Sequence, residues 1–208
     1  ELAIAYPDQV IVLLGNHDQM FLDWLEKPWS SLDYMERKIK TIRSFFSDTS
    51  FDQILIELET NPIEISCFFS ETIQQKHQEL IWWFKKIAQQ RPLYYETATQ
   101  IFVHAGIFED ETMWATATSD HEFLWKYPAE TGRFHKDIIS GHISAAEVAN
   151  DIDFLGKVYW DGENHYFIDG TVEKSGRIPL LVYDTQTHRY SGFDRHNMDY
   201  FVSKSQVR

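Results

Sequence analysis

The sequence predicts an α/β fold, and two observations support this prediction. Residues 10–14 are five apolar side chains without a polar break, a pattern typical of a strand buried on both faces of a parallel sheet. Between residues 20 and 90, apolar side chains recur at spacings of three and four, which indicates amphipathic helices. We therefore expect a buried strand first and a long helical segment after it.

The remaining elements follow in chain order. Proline residues interrupt the helical segment, as expected where helices end. After it, short apolar or alternating runs predict strands, and D-G-E-N at 161–164 is a hairpin signal. The predicted strands are residues 93–96, 100–103, 136–140, 157–160, 165–168, 177–183 and 189–193, followed by a polar tail at 194–208.

Three of the predicted strands end next to side chains that can bind a metal. Asn16 and His17 lie in the turn after the first strand, His104 follows residues 100–103, and His142 follows residues 136–140. Ligands of open α/β sheets bind at the carboxyl ends of the strands. Amide oxygen and imidazole nitrogen together suit manganese, iron or zinc better than calcium.

The same residues lie in motifs that resemble a known family. G-N-H-D at 15–18, V-H-A-G-I at 103–107 and S-G-H at 140–142 resemble, in order, three signatures of the calcineurin-like metallophosphoesterases. The form V-H-A-G-I, with I-D-G at 168–170, is most similar to the bacterial branch of the phosphoprotein phosphatases. That branch includes Ser/Thr phosphatases and diadenosine tetraphosphate hydrolases. The resemblance spans residue 10 to about residue 183, and three ordered motifs are far more specific than one.

The resemblance implies a fold and a domain arrangement. The expected fold is two packed mixed β-sheets flanked by helices, the metallophosphoesterase-like sandwich, without its first βαβ portion. Residues 1–193 would form a single catalytic domain with a helical insertion at about 20–90. The family blocks G-D-x-H-G and G-D-x-x-D-R-G do not occur in the chain. We therefore expect these residues to be the carboxyl-terminal part of a longer catalytic domain.

The resemblance also implies the site. Asn16, His104 and His142 would bind one of two divalent metal ions, with manganese favoured over iron or zinc. His17 would act as the general acid and Asp18 would hold its ring. The family's phosphate-binding arginine has no counterpart in the E-F-L-W-K-Y block at 122–127, so no phosphate-binding residue is assigned.

The implied function is metal-dependent phosphoester hydrolysis, with a Ser/Thr phosphoprotein as the first choice of substrate. A dinucleoside polyphosphate is the alternative substrate, and a non-catalytic scaffold protein is the alternative class. The net charge of −13 argues against nucleic acid as a partner. A single cysteine and the lack of a long apolar run predict a cytoplasmic protein without a membrane partner.

Overall fold

The computed structural model describes residues 2–57, 61–90, 92–193 and 198–201. The chain divides into two compact units, a helical unit at Asn16–Arg91 and a β-unit formed by Glu1–Gly15 with Pro92–Arg208. The described helices are α1 (Leu2–Ala5), α2 (Asn16–Glu26), α3 (Leu32–Arg37), α4 (Ile39–Arg43), α5 (Asp48–Glu57), α6 (Pro62–Lys76), α7 (Gln78–Gln90), α8 (Trp114–Ala117), α9 (Asp120–Trp125), α10 (Ala145–Ala149) and α11 (Val172–Ser175).

The helical unit packs α2–α7 around an aromatic-rich core. Trp24, fully buried in α2, donates a hydrogen bond from Nε1 to Oγ of Ser66 in α6 (2.9 Å). The rings of Phe51 and Phe69 stack with centroids 4.8 Å apart, an arrangement that adds to the energy of burying them. Helix α6 begins with Pro62 behind Asn61, whose side chain accepts a hydrogen bond from the backbone, as a helix N-cap does.

The β-unit contains two sheets. The five-stranded sheet has the order β1-β2-β3-β5-β4; β2, β3 and β5 are parallel, and the outer strands β1 and β4 are antiparallel. The second sheet has the order β6-β7-β8 and is antiparallel throughout. The strands are β1 (Tyr94–Glu96), β2 (Gln100–Val103), β3 (Asp137–Ser144), β4 (Tyr159–Trp160), β5 (His165–Asp169), β6 (Leu180–Asp184), β7 (Arg189–Phe193) and β8 (Met198–Phe201).

The two sheets pack against each other through a buried cluster that includes Ile139, Tyr166 and Tyr190. A polar network reinforces this contact: the Tyr190 hydroxyl donates to Oδ2 of the fully buried Asp137 (3.0 Å) and accepts from Nε2 of Gln100 (2.9 Å). Burial and the Asp137 charge raise the pKa of Tyr190, so its hydroxyl keeps the proton that it donates. The mixed α/β class and the packed sheets are thus as predicted.

Several local predictions need correction. Residues 10–14, all of them described, do not form a strand; Val10 N donates to Tyr6 O and Leu14 N to Pro92 O, so successive bonds to one neighbouring strand are missing. Ile11 is 51% exposed, which rules out burial on both faces. The second sheet is antiparallel rather than mixed: four residues separate β6 from β7 and four separate β7 from β8, too few for the crossover that parallel strands need. Strand β8 lies inside the segment predicted as a polar tail.

The strands and hairpins predicted after residue 92 are confirmed, within a few residues at their ends. The main difference is β3, which continues through Gly141 and His142 to Ser144 instead of ending at Ser140. None of the described helices has the length and apolar character needed to cross a membrane.

Candidate functional site

His104 lies directly after β2, at the carboxyl end of a parallel pair of strands. Val103 is paired with Ser140 of β3, and beyond this pair Gly141 N donates to the carbonyl oxygen of His104 (2.9 Å). The next residue, Ala105, donates its N–H to Phe123 O (2.9 Å). The backbone on both sides of His104 is therefore fixed, while the side chain is half-buried.

His142 occupies an irregular position in β3. The pairing register between β3 and β5 shifts between Ser140 and Ser144, and His142 has a φ of 65°. Residues with a β-carbon adopt this left-handed conformation at a cost, and β-bulges redirect side chains near functional sites. A histidine held in this conformation at the end of a central strand is a functional candidate on structural grounds alone.

The two histidine side chains lie next to each other. Their ring centroids are 5.2 Å apart, with an angle of 63° between the ring planes. Two imidazoles that bind one ion through nitrogen at about 2.1 Å, at a roughly tetrahedral angle, have centroids about 5 Å apart. The spacing of the two rings therefore matches that of two imidazoles on one ion, which would need further ligands.

Trp125 lies next to His142 and was not predicted as a site residue. It ends α9, and its ring lies edge-on to that of His142, with centroids 6.1 Å apart. A capping box between Ser119 and Glu122 fixes the start of α9. The available signal was the tryptophan in the E-F-L-W-K-Y block, but a single tryptophan is more often a packing residue.

Lys126, the residue in the region where the resembled family has its arginine, is already engaged. Its Nζ donates to the carbonyl oxygen of Ile107 and forms an ion pair with Oε2 of Glu130 at 2.9 Å. A β-carbon at Gly106 would lie 2.5 Å from Cδ of Lys126, so the glycine provides room for this lysine. Gly106 thus has a packing role within the V-H-A-G-I motif, in addition to the close ligand approach that small residues permit.

The other predicted site residues lie in the helical unit. Asn16, His17 and Asp18 form the first turn of α2 rather than a turn before it, because the helix begins at Asn16 itself. Asn16 is buried, and its Oδ1 accepts a hydrogen bond from His17 N (2.9 Å); His17 is exposed. Burial, together with the negative charge of Asp18, raises the pKa of Tyr34 to about 12.

The structure thus brings His104 and His142 together within the β-unit and Asn16, His17 and Asp18 together within the helical unit. Convergence of Asn16 with the two histidines on one metal position stays a prediction. Among the described residues, no group of three or more His, Cys, Asp or Glu side chains is arranged to bind a metal ion. Asn16 lies outside that set of residue types.

A second histidine cluster escaped the sequence analysis. His165 is buried at the start of β5, with Nε2 3.1 Å from Oε1 of Glu109 and Nδ1 3.2 Å from Oδ2 of Asp161. Burial alone would lower its pKa, but the hydrogen bonds and charges of these carboxylates raise the pKa of His165 to about 9. No sequence motif marks this cluster, because its members lie on separate segments.

Asp169 has a structural role in the turn after β5. Its Oδ1 accepts a hydrogen bond from Thr171 N (2.7 Å), as a turn residue does. The following Gly170 is required by packing, since a β-carbon there would lie 2.5 Å from Cδ of Pro179 and 2.9 Å from the carbonyl oxygen of Arg177. The I-D-G sequence is therefore explained by the turn.

Comparison of the chain with models of known protein families, with curated proteins and with solved structures finds no match. The case for a phosphoesterase therefore depends on the three sequence motifs and on the geometry of the two histidines.

Proposed function

We propose that this chain contributes to the active site of a metal-dependent phosphoester hydrolase. The observation that supports the proposal most directly is the His104–His142 pair, one directly after β2 and one in the last part of the parallel strand β3, with ring centroids 5.2 Å apart. The positive φ of His142 adds support, because a strained histidine is retained where its orientation matters. The order of the three motifs gives the proposal its chemical class.

In this proposal each residue has one role. His104 and His142 supply imidazole nitrogens, and Asn16 supplies an amide oxygen, to one of two divalent ions, with manganese favoured. Such ions, when bound, neutralise the charge of a phosphate ester and activate water. His17 gives a proton to the leaving alkoxide oxygen, and Asp18 orients the His17 ring. Proton transfer of this kind contributes on the order of 100- to 10,000-fold to turnover.

The proposed substrate is a Ser/Thr phosphoprotein, with a dinucleoside polyphosphate as the alternative. A non-catalytic binding protein is the rival from another class. The observation behind this rival is that the structure brings two histidines together within the β-unit. Two histidines can bind an ion or an anionic ligand without performing hydrolysis.

Metal content and hydrolysis, measured together, separate these functions. The complete protein is loaded with Mn²⁺ and assayed on p-nitrophenyl phosphate, a phosphothreonine peptide and diadenosine tetraphosphate. His104→Asn should lose both metal and activity, whereas His17→Ala should lose turnover and keep its metal. The matched control is His121→Asn, which changes an exposed histidine of α9 and should leave both quantities unchanged.

The outcomes are distinct. If His17→Ala loses metal and activity in equal measure, His17 is a ligand and the proposed roles are wrong. If the complete wild-type protein binds Mn²⁺ through His104 but hydrolyses none of the three substrates, the binding-protein function replaces hydrolysis. Preference for the peptide or for diadenosine tetraphosphate decides the substrate class.

A further inference from the structure

His165 stands at the centre of a buried network of charges in the β-unit. Its side chain is 3% exposed, that of Asp161 is 4% exposed and that of Glu109 is 18% exposed. Both ring nitrogens face carboxylates, and Nδ1 also lies 3.0 Å from the carbonyl oxygen of Gly132. A doubly protonated ring can donate to both sides at once, which a neutral ring cannot do.

The two carboxylates differ in their dependence on the ring. Asp161 also accepts backbone hydrogen bonds: Oδ2 from Gly132 N (2.6 Å), and Oδ1 from Glu163 N (2.7 Å) and His165 N (3.1 Å). Within the described chain no backbone N–H donates to the Glu109 side chain, and its contact with the His165 ring links it to β5. Removal of the imidazole should therefore affect the position of Glu109 more than that of Asp161.

Glu109 belongs to the segment that leaves β2 through His104. Along this segment, Ala105 N donates to Phe123 O, Ile107 O accepts from Lys126, and Phe108 N donates to Oγ1 of Thr118 (2.9 Å). These three contacts tie the segment to the region around α9. The Glu109–His165 contact ties it to β5, two strands away from β2 in the same sheet.

We propose that His165 is a positioning residue for His104: it holds the Glu109 carboxylate at the start of β5 and so fixes the segment that begins at His104. The proposal rests on the proposed function only in treating His104 as a functional residue. It predicts that the position of the His104 ring depends on the Glu109–His165 contact and on the protonation of His165, whichever ligand the His104 ring binds.

Two substitutions of His165 distinguish the two sides of the ring. In His165→Gln the amide nitrogen can occupy the place of Nε2 and keep the contact with Glu109. In His165→Asn the shorter amide reaches only the Nδ1 side, towards Asp161 and Gly132. Glu109→Ala removes the same contact from the opposite partner, and His121→Asn serves as the control outside the network.

The readout is the NMR signal of the His104 ring in the metal-free chain, assigned with His104→Asn and followed from neutral to alkaline pH. At neutral pH, His165→Asn and Glu109→Ala should displace this signal to a similar new position, while His165→Gln and His121→Asn should leave it unchanged. This agreement between two variants on opposite sides of one contact would not follow from a general loss of stability.

The pH dependence gives a second, independent readout. The charged groups around the network are its two carboxylates, Glu130 and Lys126 beside Glu109, and the ion pair of Glu163 with Arg133 (3.5 Å), whose backbones adjoin Asp161 and Gly132. In the wild type the His104 signal should show an inflection near pH 9, where His165 loses its proton, in addition to its own titration. His165→Gln should lack this inflection, because glutamine does not titrate.

Should Glu109→Ala or His165→Asn fail to fold, the isosteric Glu109→Gln provides the test. It keeps the contact but removes one negative charge, so the alkaline inflection of His104 should move down by roughly one to three pH units. An inflection that stays near pH 9 in Glu109→Gln overturns the proposal, as does an unchanged His104 signal in folded His165→Asn and Glu109→Ala. These results do not depend on hydrolysis, so failure of the phosphoesterase proposal leaves the test intact.

Discussion

The buried charge network around His165 should make the stability of the β-unit depend on pH. The pKa of His165 is about 9 in the folded chain, against an ordinary value of 6.5. A raised pKa means that the stabilising contribution is fully present below pH 6.5 and is lost as the pH rises through 9. At about 1.4 kcal/mol per pH unit, this difference corresponds to about 3 kcal/mol of unfolding free energy.

Urea unfolding at constant ionic strength, at about pH 6 and about pH 10, measures this loss. Other groups also titrate in this range, so the informative quantity is the difference between the wild type and His165→Gln. The variant lacks the titrating ring and should be destabilised at the lower pH, with a pH dependence flatter by about 3 kcal/mol. Parallel pH dependences for the two proteins would refute the reasoning, because they would show that His165 titrates alike in the folded and unfolded states.

Three further predictions concern packing and backbone geometry. Gly170→Ala should lower the unfolding free energy by about 1–3 kcal/mol, because its β-carbon would lie 2.5 Å from Cδ of Pro179. Trp24→Ala should cost about 3–5 kcal/mol, through the cavity and the lost hydrogen bond to Ser66, as measured by circular dichroism of helix unfolding. His142→Gly should leave stability equal or raise it by up to about 1 kcal/mol, by relieving the positive φ, while metal affinity is lost.

Each of these predictions has its own control. Gly141→Ala is the match for Gly170→Ala, since its β-carbon would meet the His104 carbonyl oxygen at an ordinary 3.5 Å; equal destabilisation of the two variants contradicts the steric argument. For Trp24→Ala, a loss below about 1 kcal/mol would mean that the site collapses without a cavity. If His142→Gly is strongly destabilised, the contacts of the His142 side chain contribute more to stability than the strain of its positive φ removes.

Local sequence patterns predicted the strands of the β-unit well where turn residues typical of hairpins lie between short apolar runs. The β4–β5 hairpin follows from the D-G sequence at Asp161 and Gly162, between two apolar runs. Residues 10–14 show the limit of the same method. A run of five apolar residues favours burial, but Ile11 is 51% exposed, and a strand also needs a partner that supplies successive hydrogen bonds. The position of a partner strand depends on the whole fold, so the apolar run alone cannot predict it.

The sequence likewise predicted one part of the candidate site and not another. His104 and His142 could be predicted because each comes after a short apolar run and belongs to a motif. The left-handed backbone of His142 and the ion pairs of His165 could not, since they depend on pairing register and on side chains far apart in the chain. Glu109 lies 56 residues from His165, and only the folded sheet brings the two together.

The ends of the five-stranded sheet have a consequence for self-association. Its outer strands in the described chain are β1, with three residues, and β4, with two. A long, flat outer strand would offer its unpaired backbone groups to a neighbouring molecule and seed fibrous aggregation. Strands this short offer little to pair with, and Glu96 adds a charge, engaged with Lys136, at the end of β1. Strand β3, which contains His142, and strand β2, which His104 follows, therefore lie inside the sheet and away from the edges at which molecules could pair.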